Sequence, residues 1–186
     1  AAGATQPVTN TTTINGLNTL VFDGIDDSLV KPAFAVPVSG NIGIFGLCTV
    51  ISVTHTNDSI WCMNAATSDF QLNSNSATQF TGEITATGLG SNPAVLTGGP
   101  FTGPSIFNTN FNLTSSFYNA FVDGTKRTVD SLYNVSLSLS QELKIGSNRG
   151  TQTRNPAMNF GELIIVEDVS DSTRELIEGY LAHKWG

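Results

Sequence analysis

Charge is scarce in this chain, and positive charge is scarcer still. Only 12% of the 186 residues are charged, with eight Lys plus Arg against fifteen Asp plus Glu and a net charge of -7. The basic residues stand singly or as the pair Lys126–Arg127, so nothing supplies the clustered cations that phosphate backbones require, and nucleic-acid binding is excluded. No run of about eighteen apolar residues occurs, which excludes a membrane-spanning helix. The first residues also lack the charged and apolar regions of a signal peptide, which leaves export open.

Cysteine and histidine number two each. Cys48 and Cys62 flank the polar stretch THTND and are expected on neighbouring strands. A turn centred near Thr56 and Asn57 sets Cys48 opposite Met63 to Ala65 rather than Cys62. Free buried thiols are therefore expected over a disulfide, whose geometry is narrow. His55 falls in that turn and His183 near the C-terminus, with no zinc-ligand spacing and no G-x-S-x-G nucleophile elbow around them. Four Asn-x-Ser/Thr sequons, at Asn10, Asn57, Asn112 and Asn134, are expected by chance in a chain so rich in these residues.

What remains is a surface wetted by Ser, Thr and Asn, and a succession of strand signals. Short apolar runs are broken by Gly, Pro, Asn and Asp. NTLVFDG alternates into an Asp23–Gly24 turn; NIGIFGLCTVISV suits a buried strand, and SIWCMNAA returns after THTND as its hairpin partner. DFQLNS and QFTGEITATG follow, and SNPAVLTGGPFTGP reads as a surface loop. Two alternating arms surround Asp123–Gly124, a strong hairpin signal. In VSLSLS, Val135, Leu137 and Leu139 share one face and Ser136, Ser138 and Ser140 the other. ELKIGS and MNFGELIIVED complete the set, the latter apolar enough to be central in a sheet. About ten closely spaced strands predict an all-β, two-sheet antiparallel sandwich forming one domain over residues 1–186.

The exception is the C-terminal end. Ser172 to Glu175 read as a capping box opening a helix over 173–184. Leu176, Ile177, Tyr180 and Leu181 fall on its apolar face, continued by Trp185, while Glu175, Glu178, Gly179 and Ala182 turn away. Gly186 is a natural stop.

Three segments, INGLNTLVFDGIDDSL, LKIGSNRG and FGELIIVEDVSDSTRELIEGYLAHKWG, occur in this order with FVDG between them. Together they resemble the concanavalin A-like, LamG-like jelly-roll domains of bacterial exported proteins and bacteriophage structural proteins. The resemblance implies a double-sheet jelly roll with the short C-terminal α-helix packed at one side. Such domains usually carry a further segment before INGL, supplying a first strand that pairs with ELIIV, and often continue past HKWG. A module truncated at both ends, cut from a longer polypeptide, is the expectation.

Related jelly rolls include glycoside hydrolases, which place two carboxylates about 5–5.5 Å apart from one strand face in retaining enzymes. Their E-x-D-x-x-E spacing is missing here; Glu162 and Glu167 fall on opposite faces of ELIIVED. No catalytic residue is assigned, and an enzyme is not expected. Asp23, Asp26 and Asp27 offer oxygen ligands for calcium, or alternatively form a tight turn with Asx caps; no other cofactor is implied. Asn148, Arg149 and Arg154 lie in a polar loop that could hydrogen-bond a sugar or an acidic partner. Trp61 and Trp185 are read as core, and Tyr118, Tyr133 and a Phe101–Phe107 loop as further aromatic surfaces of either kind. The expected function is a non-catalytic module at a virion or cell surface, supporting adhesion or binding a glycan or cell-surface polysaccharide. The alternative is a structural bacteriophage protein, decorating a capsid or associated with a tail, that binds neighbouring virion subunits; a glycoside hydrolase is a distant third. A homo-oligomer stays open, and the expected location is extracellular or on a virion.

Overall fold

Alternating side chains and β-turn residues organise the chain into fourteen strands and one helix in a computed structural model that describes residues 6–35, 40–55, 58–64, 68–76, 79–86, 90–96, 103–112, 117–127, 131–132, 140–147 and 154–186. The strands are β1 (Val8–Ile14), β2 (Leu17–Asp23), β3 (Leu29–Ala35), β4 (Asn41–Ser52), β5 (Asp58–Asn64), β6 (Ser68–Ser76), β7 (Gln79–Ala86), β8 (Gly90–Leu96), β9 (Ser105–Asn112), β10 (Phe117–Val122), β11 (Thr125–Lys126), β12 (Ser131–Leu132), β13 (Ser140–Ile145) and β14 (Ala157–Glu167). Helix α1 covers Asp171–Trp185. The described strands form an eight-stranded sheet, β1-β2-β14-β4-β9-β10-β11 with β12 also on β10, and a six-stranded sheet, β3-β13-β5-β6-β7-β8. Every pairing is antiparallel. The two-sheet jelly-roll sandwich with a C-terminal helix is thus the fold.

Several local expectations hold, and several change. The Asp123–Gly124 hairpin joins β10 to β11 with φ of 49° and 71°, the left-handed pair a type I′ turn demands. MNFGELIIVED falls on β14, whose first part, Ala157–Phe160, lies between β2 and β4 as a central strand does, whereas Glu162–Glu167 pair with β4 alone among the described residues. Asn15–Gly16, at φ 48° and 75°, makes a second such hairpin between β1 and β2 that the strand reading did not include. THTND does not close a hairpin: β4 pairs with β14 and β9, whereas β5 pairs with β6 and β13 in the other sheet. Cys48 and Cys62 therefore stand in opposite sheets rather than on neighbouring strands, both buried and neither in a disulfide. Ser91 to Leu96 are strand, not loop; β8 ends its sheet, where Pro93 is tolerated because an edge strand spares one row of amides. Residues 105–107 likewise open β9, and Phe107 is core. Residues 135–139 of VSLSLS, with Tyr133 and Phe101, lie outside the described residues, and Ser140 opens β13.

Between the sheets, Phe22, Ile42, Ile44, Trp61, Phe111 and Phe160 anchor the core. Trp61 meets Phe111 edge-on at 6.2 Å and Phe22 meets Phe160 at 6.3 Å, the geometry aromatic quadrupoles favour. A second cluster lies on the outer face of the eight-stranded sheet, where Phe45, Leu47, Ile106 and Val169 pack against Leu181 and Trp185 of the helix. β4 is consequently apolar on both faces, which explains its unbroken hydrophobic run.

The helix starts two residues earlier than the capping box suggests. Ser170 is the N-cap, its Oγ accepting from the Thr173 amide at 3.1 Å, and Val169 before it is buried against the sheet. The buried face differs too. Leu176 is 75% and Tyr180 46% exposed, whereas Arg174, Glu178, Leu181 and Trp185 are buried. Arg174 and Glu178 can face inward because they form an ion pair at 2.6 Å and the guanidinium lies 4.3 Å from the centre of the Phe121 ring. Burial still raises the Glu178 pKa, with the Arg174 charge opposing it. Gly186, at φ 89°, closes the helix with its amide on the Ala182 carbonyl.

Candidate functional site

One end of the sandwich gathers the β2–β3, β4–β5 and β13–β14 connections. Register brings them together: Ala157, at the start of β14, pairs with both Asp23 and Ser52, and Ile145, at the end of β13, pairs with both Leu29 and Trp61. The Gly146 amide donates to the Ile60 carbonyl, and the Ser59 amide donates to the Arg154 carbonyl. Gly146 has no room for a side chain: at φ 78°, a Cβ there would run into the Phe22 ring and the Asp27 carbonyl.

On this end the three aspartates do converge, with one carboxylate oxygen from each of Asp23, Asp26 and Asp27 within 4.8 Å of the others. Two of them also carry the turn. Asp23 Oδ1 accepts from the Ile25 amide at 2.8 Å, and Asp27 Oδ2 accepts from the Asp23 amide at 2.9 Å. One oxygen on each, with both of Asp26, is left toward a hard cation, so the donor chemistry fits calcium, which completes six to eight oxygens with carbonyls and water. Asp27 is buried, and its desolvation raises its pKa, with Asp23 and Asp26 adding repulsion. A cation between the three would relieve that repulsion.

Arg154 reaches the same end and is exposed, held by its carbonyl to the β5 strand, while Asn148 and Arg149 lie outside the described residues. Beside Arg154, Asn155 is 1% exposed with neither amide atom partnered, a feature that no sequence signal marked. His55 is a structural group here: its Nδ1 lies 3.5 Å from Asp58, whose other oxygen accepts from the Thr54 and His55 amides.

The helix side presents different chemistry. Glu162, the nearest carboxylate to a catalytic assignment, accepts from Trp185 Nε1 at 2.9 Å, Lys184 Nζ at 2.9 Å and the Tyr180 hydroxyl at 3.3 Å. Burial alone would raise its pKa, but those three donors and the Lys184 charge hold it below the usual range. It pins the helix to β14. A cavity of about 450 Å³ lies beside it, between Leu47, Ile106, Asp123, Glu178 and Trp185. Trp61 and Trp185 are both buried, so neither is a sugar-stacking platform.

No family sequence pattern and no curated protein sequence matches the chain. Solved structures do match in shape. Domain 4 of the extracellular arabinanase AbnA from Geobacillus stearothermophilus, solved with arabinotriose, aligns at a TM-score of 0.62 and 10% identity over 89% of this chain and 79% of that one. The CBM40 of the Ruminococcus gnavus IT-sialidase, bound to α2,3-sialyllactose, aligns at 0.58 and 11% over 85% and 98%. Domains LG4-5 of the mouse laminin α1 chain align at 0.62 and 14% over 90% and 46%. The shared property is the two-sheet jelly-roll fold.

Proposed function

We propose that this protein is a non-catalytic carbohydrate-binding module working outside the cell or on a virion, where it mediates adhesion to a glycan or cell-surface polysaccharide. The observation that carries the reading is the loop end itself: a calcium-compatible aspartate triad and an exposed arginine on one rim of a low-charge sandwich. Calcium bridging protein carboxylates to sugar hydroxyls, with Arg154 as a hydrogen-bond donor, is the chemistry that rim supplies. Sugar-bound neighbours of the same fold support it. The test is a glycan array probed with and without Ca²⁺, followed by Asp26→Asn and Arg154→Ala on the strongest hit. Weakened binding in both variants is expected. Binding unchanged by either variant and by chelation would remove the loop end from consideration.

A second reading, a structural bacteriophage protein joining neighbouring subunits, has its own observation. Ala157 to Phe160 of β14 pair with β2, but Glu162 to Glu167 pair only with β4 among the described residues. Leu163, Ile164, Ile165 and Val166 on that stretch are half-buried. Such an edge accepts a strand from another chain. Recovery of the protein in purified particles, at fixed stoichiometry, would favour this reading over the first.

A further inference from the structure

The outer face of the eight-stranded sheet is divided in two. Where the helix covers it, the outward residues of β4 and β9 are Phe45, Leu47 and Ile106. Beyond the helix N-terminus the same strands and β10 turn outward a patch of carboxamides: Asn41, Asn108, Asn110, Asn112 and Asn119. Register makes the patch continuous, since Asn41 sits opposite Asn112 and Asn110 opposite Asn119. Asparagine is depleted from strands, where Thr or Ser would wet an outer face at less conformational cost. Five on one face ask for a reason.

Four of them, Asn41, Asn110, Asn112 and Asn119, wall a cavity of about 170 Å³ together with Phe111, Val169 and the helix residue Asp171. Of the walling residues, Asn41 and Asn119 each carry a buried carbonyl oxygen with no partner, whereas Asn108, 1% exposed, supports the patch from beside the cavity and does not line it. The Asn108 amide nitrogen is spent on the Asn110 oxygen at 3.1 Å and the Ile44 carbonyl at 3.4 Å, which holds the patch in place. Buried acceptors without donors are costly, and in native proteins they find a partner. Carboxamides can accept and donate, carry no charge, and match vicinal hydroxyls. Among the described residues no Lys or Arg lines the cavity, and Asp171 on its wall disfavours an anion.

We infer that this amide pocket is a second carbohydrate subsite, separate from the loop end, that takes one uncharged pyranose ring through its hydroxyls. The inference rests on the glycan-binding reading and adds to it a ligand class and a place. The size agrees: the pocket is smaller than the roughly 300–1,000 Å³ sites that engulf drug-sized ligands, and suits a single ring of a longer chain.

The test is a heteronuclear NMR titration of the labelled chain with methyl glycosides of glucose, galactose, mannose and N-acetylglucosamine, one at a time, with calcium chloride alone as a separate arm. Asn112→Ala and Asn119→Ala are run in parallel, each verified as folded by its thermal melt. The expected result is that side-chain amide signals of Asn110 and Asn119 move with at least one glycoside, and that each variant weakens that sugar by about tenfold, the loss of one buried hydrogen bond. Shifts confined to residues 23–28, with both variants binding normally, would overturn the subsite and leave the glycan reading standing. Amide shifts produced by calcium alone would make the pocket a cation site and overturn it as well. No shift with any glycoside, together with a blank glycan array, would overturn both.

Discussion

Truncating Leu181 and Leu176 to Ala separates the helix orientation seen here from the one its apolar spacing suggests. Both leucines fall on the stripe that periodicity picks out. Leu181 is fully buried among Phe45, Leu47, Ile106 and Trp185, so Leu181→Ala removes packed methyls and leaves a cavity between helix and sheet. Substitutions of that kind cost about 2–5 kcal/mol. The existing space beside Ala182 and Trp185 gives neighbours little to collapse onto, which places the expected cost at about 3 kcal/mol or more. Leu176 is 75% exposed, and its removal should stay within about 0.5 kcal/mol. Thermal melts of the three proteins measure this, with Leu181→Ala falling by about 6–12 °C and Leu176→Ala nearly unmoved, at about 2–4 °C per kcal/mol for a chain of this size. Equal destabilisation by the two would mean that the helix packs on its Leu176–Tyr180 face and that the Arg174–Glu178 pair is not inside.

Three further outcomes follow from the same packing. A Cβ at Gly161 would lie 2.8 Å from Leu47 and 3.2 Å from Trp185, so Gly161→Ala should cost about 1–3 kcal/mol by denaturant titration, relieved when Leu47 is shortened to Val. The folded-state pKa of Glu162 lies below its ordinary value, so its contribution is complete at neutral pH and is lost as pH falls through the ordinary glutamate value of about 4.3 and on through the lowered one; Glu162→Gln should flatten that part of the stability–pH curve. Cys48 and Cys62 are buried thiols outside any disulfide, and burial pushes the Cys48 thiol far above its usual range, so a thiol reagent should label neither in the native protein and both after unfolding.

Much of the sandwich was legible in the sequence because its signals are local. Asp123–Gly124 sets a turn by its own φ preferences, the ELIIV run is apolar because Leu163 and Ile165 pack into the core while Ile164 and Val166 pack on the helix side, and Gly186 stops a helix. What failed was non-local. No period distinguishes a strand that returns beside its predecessor from one that crosses to the facing sheet, and so β4 and β5 were read as a hairpin. The helix face was misread because Arg174 and Glu178 count as solvent-seeking until their mutual charge and the Phe121 ring are in view. At the candidate site, the three aspartates within five residues are a local signal of the β2–β3 connection, while Arg154 belongs to the separate β13–β14 connection, which only strand register brings to the same end. The isolation of Asn155 and the meeting of Asn110 with Asn119 depend on burial and strand register, which single residues do not record.

The central claim is binding to carbohydrate without turnover, and affinity chromatography of the protein over immobilised polysaccharides, with the polysaccharide recovered and sized afterwards, tests it most directly. The account predicts retardation on at least one polysaccharide and an unchanged chain length. Passage through every column without delay, or a shortened polysaccharide, would contradict it.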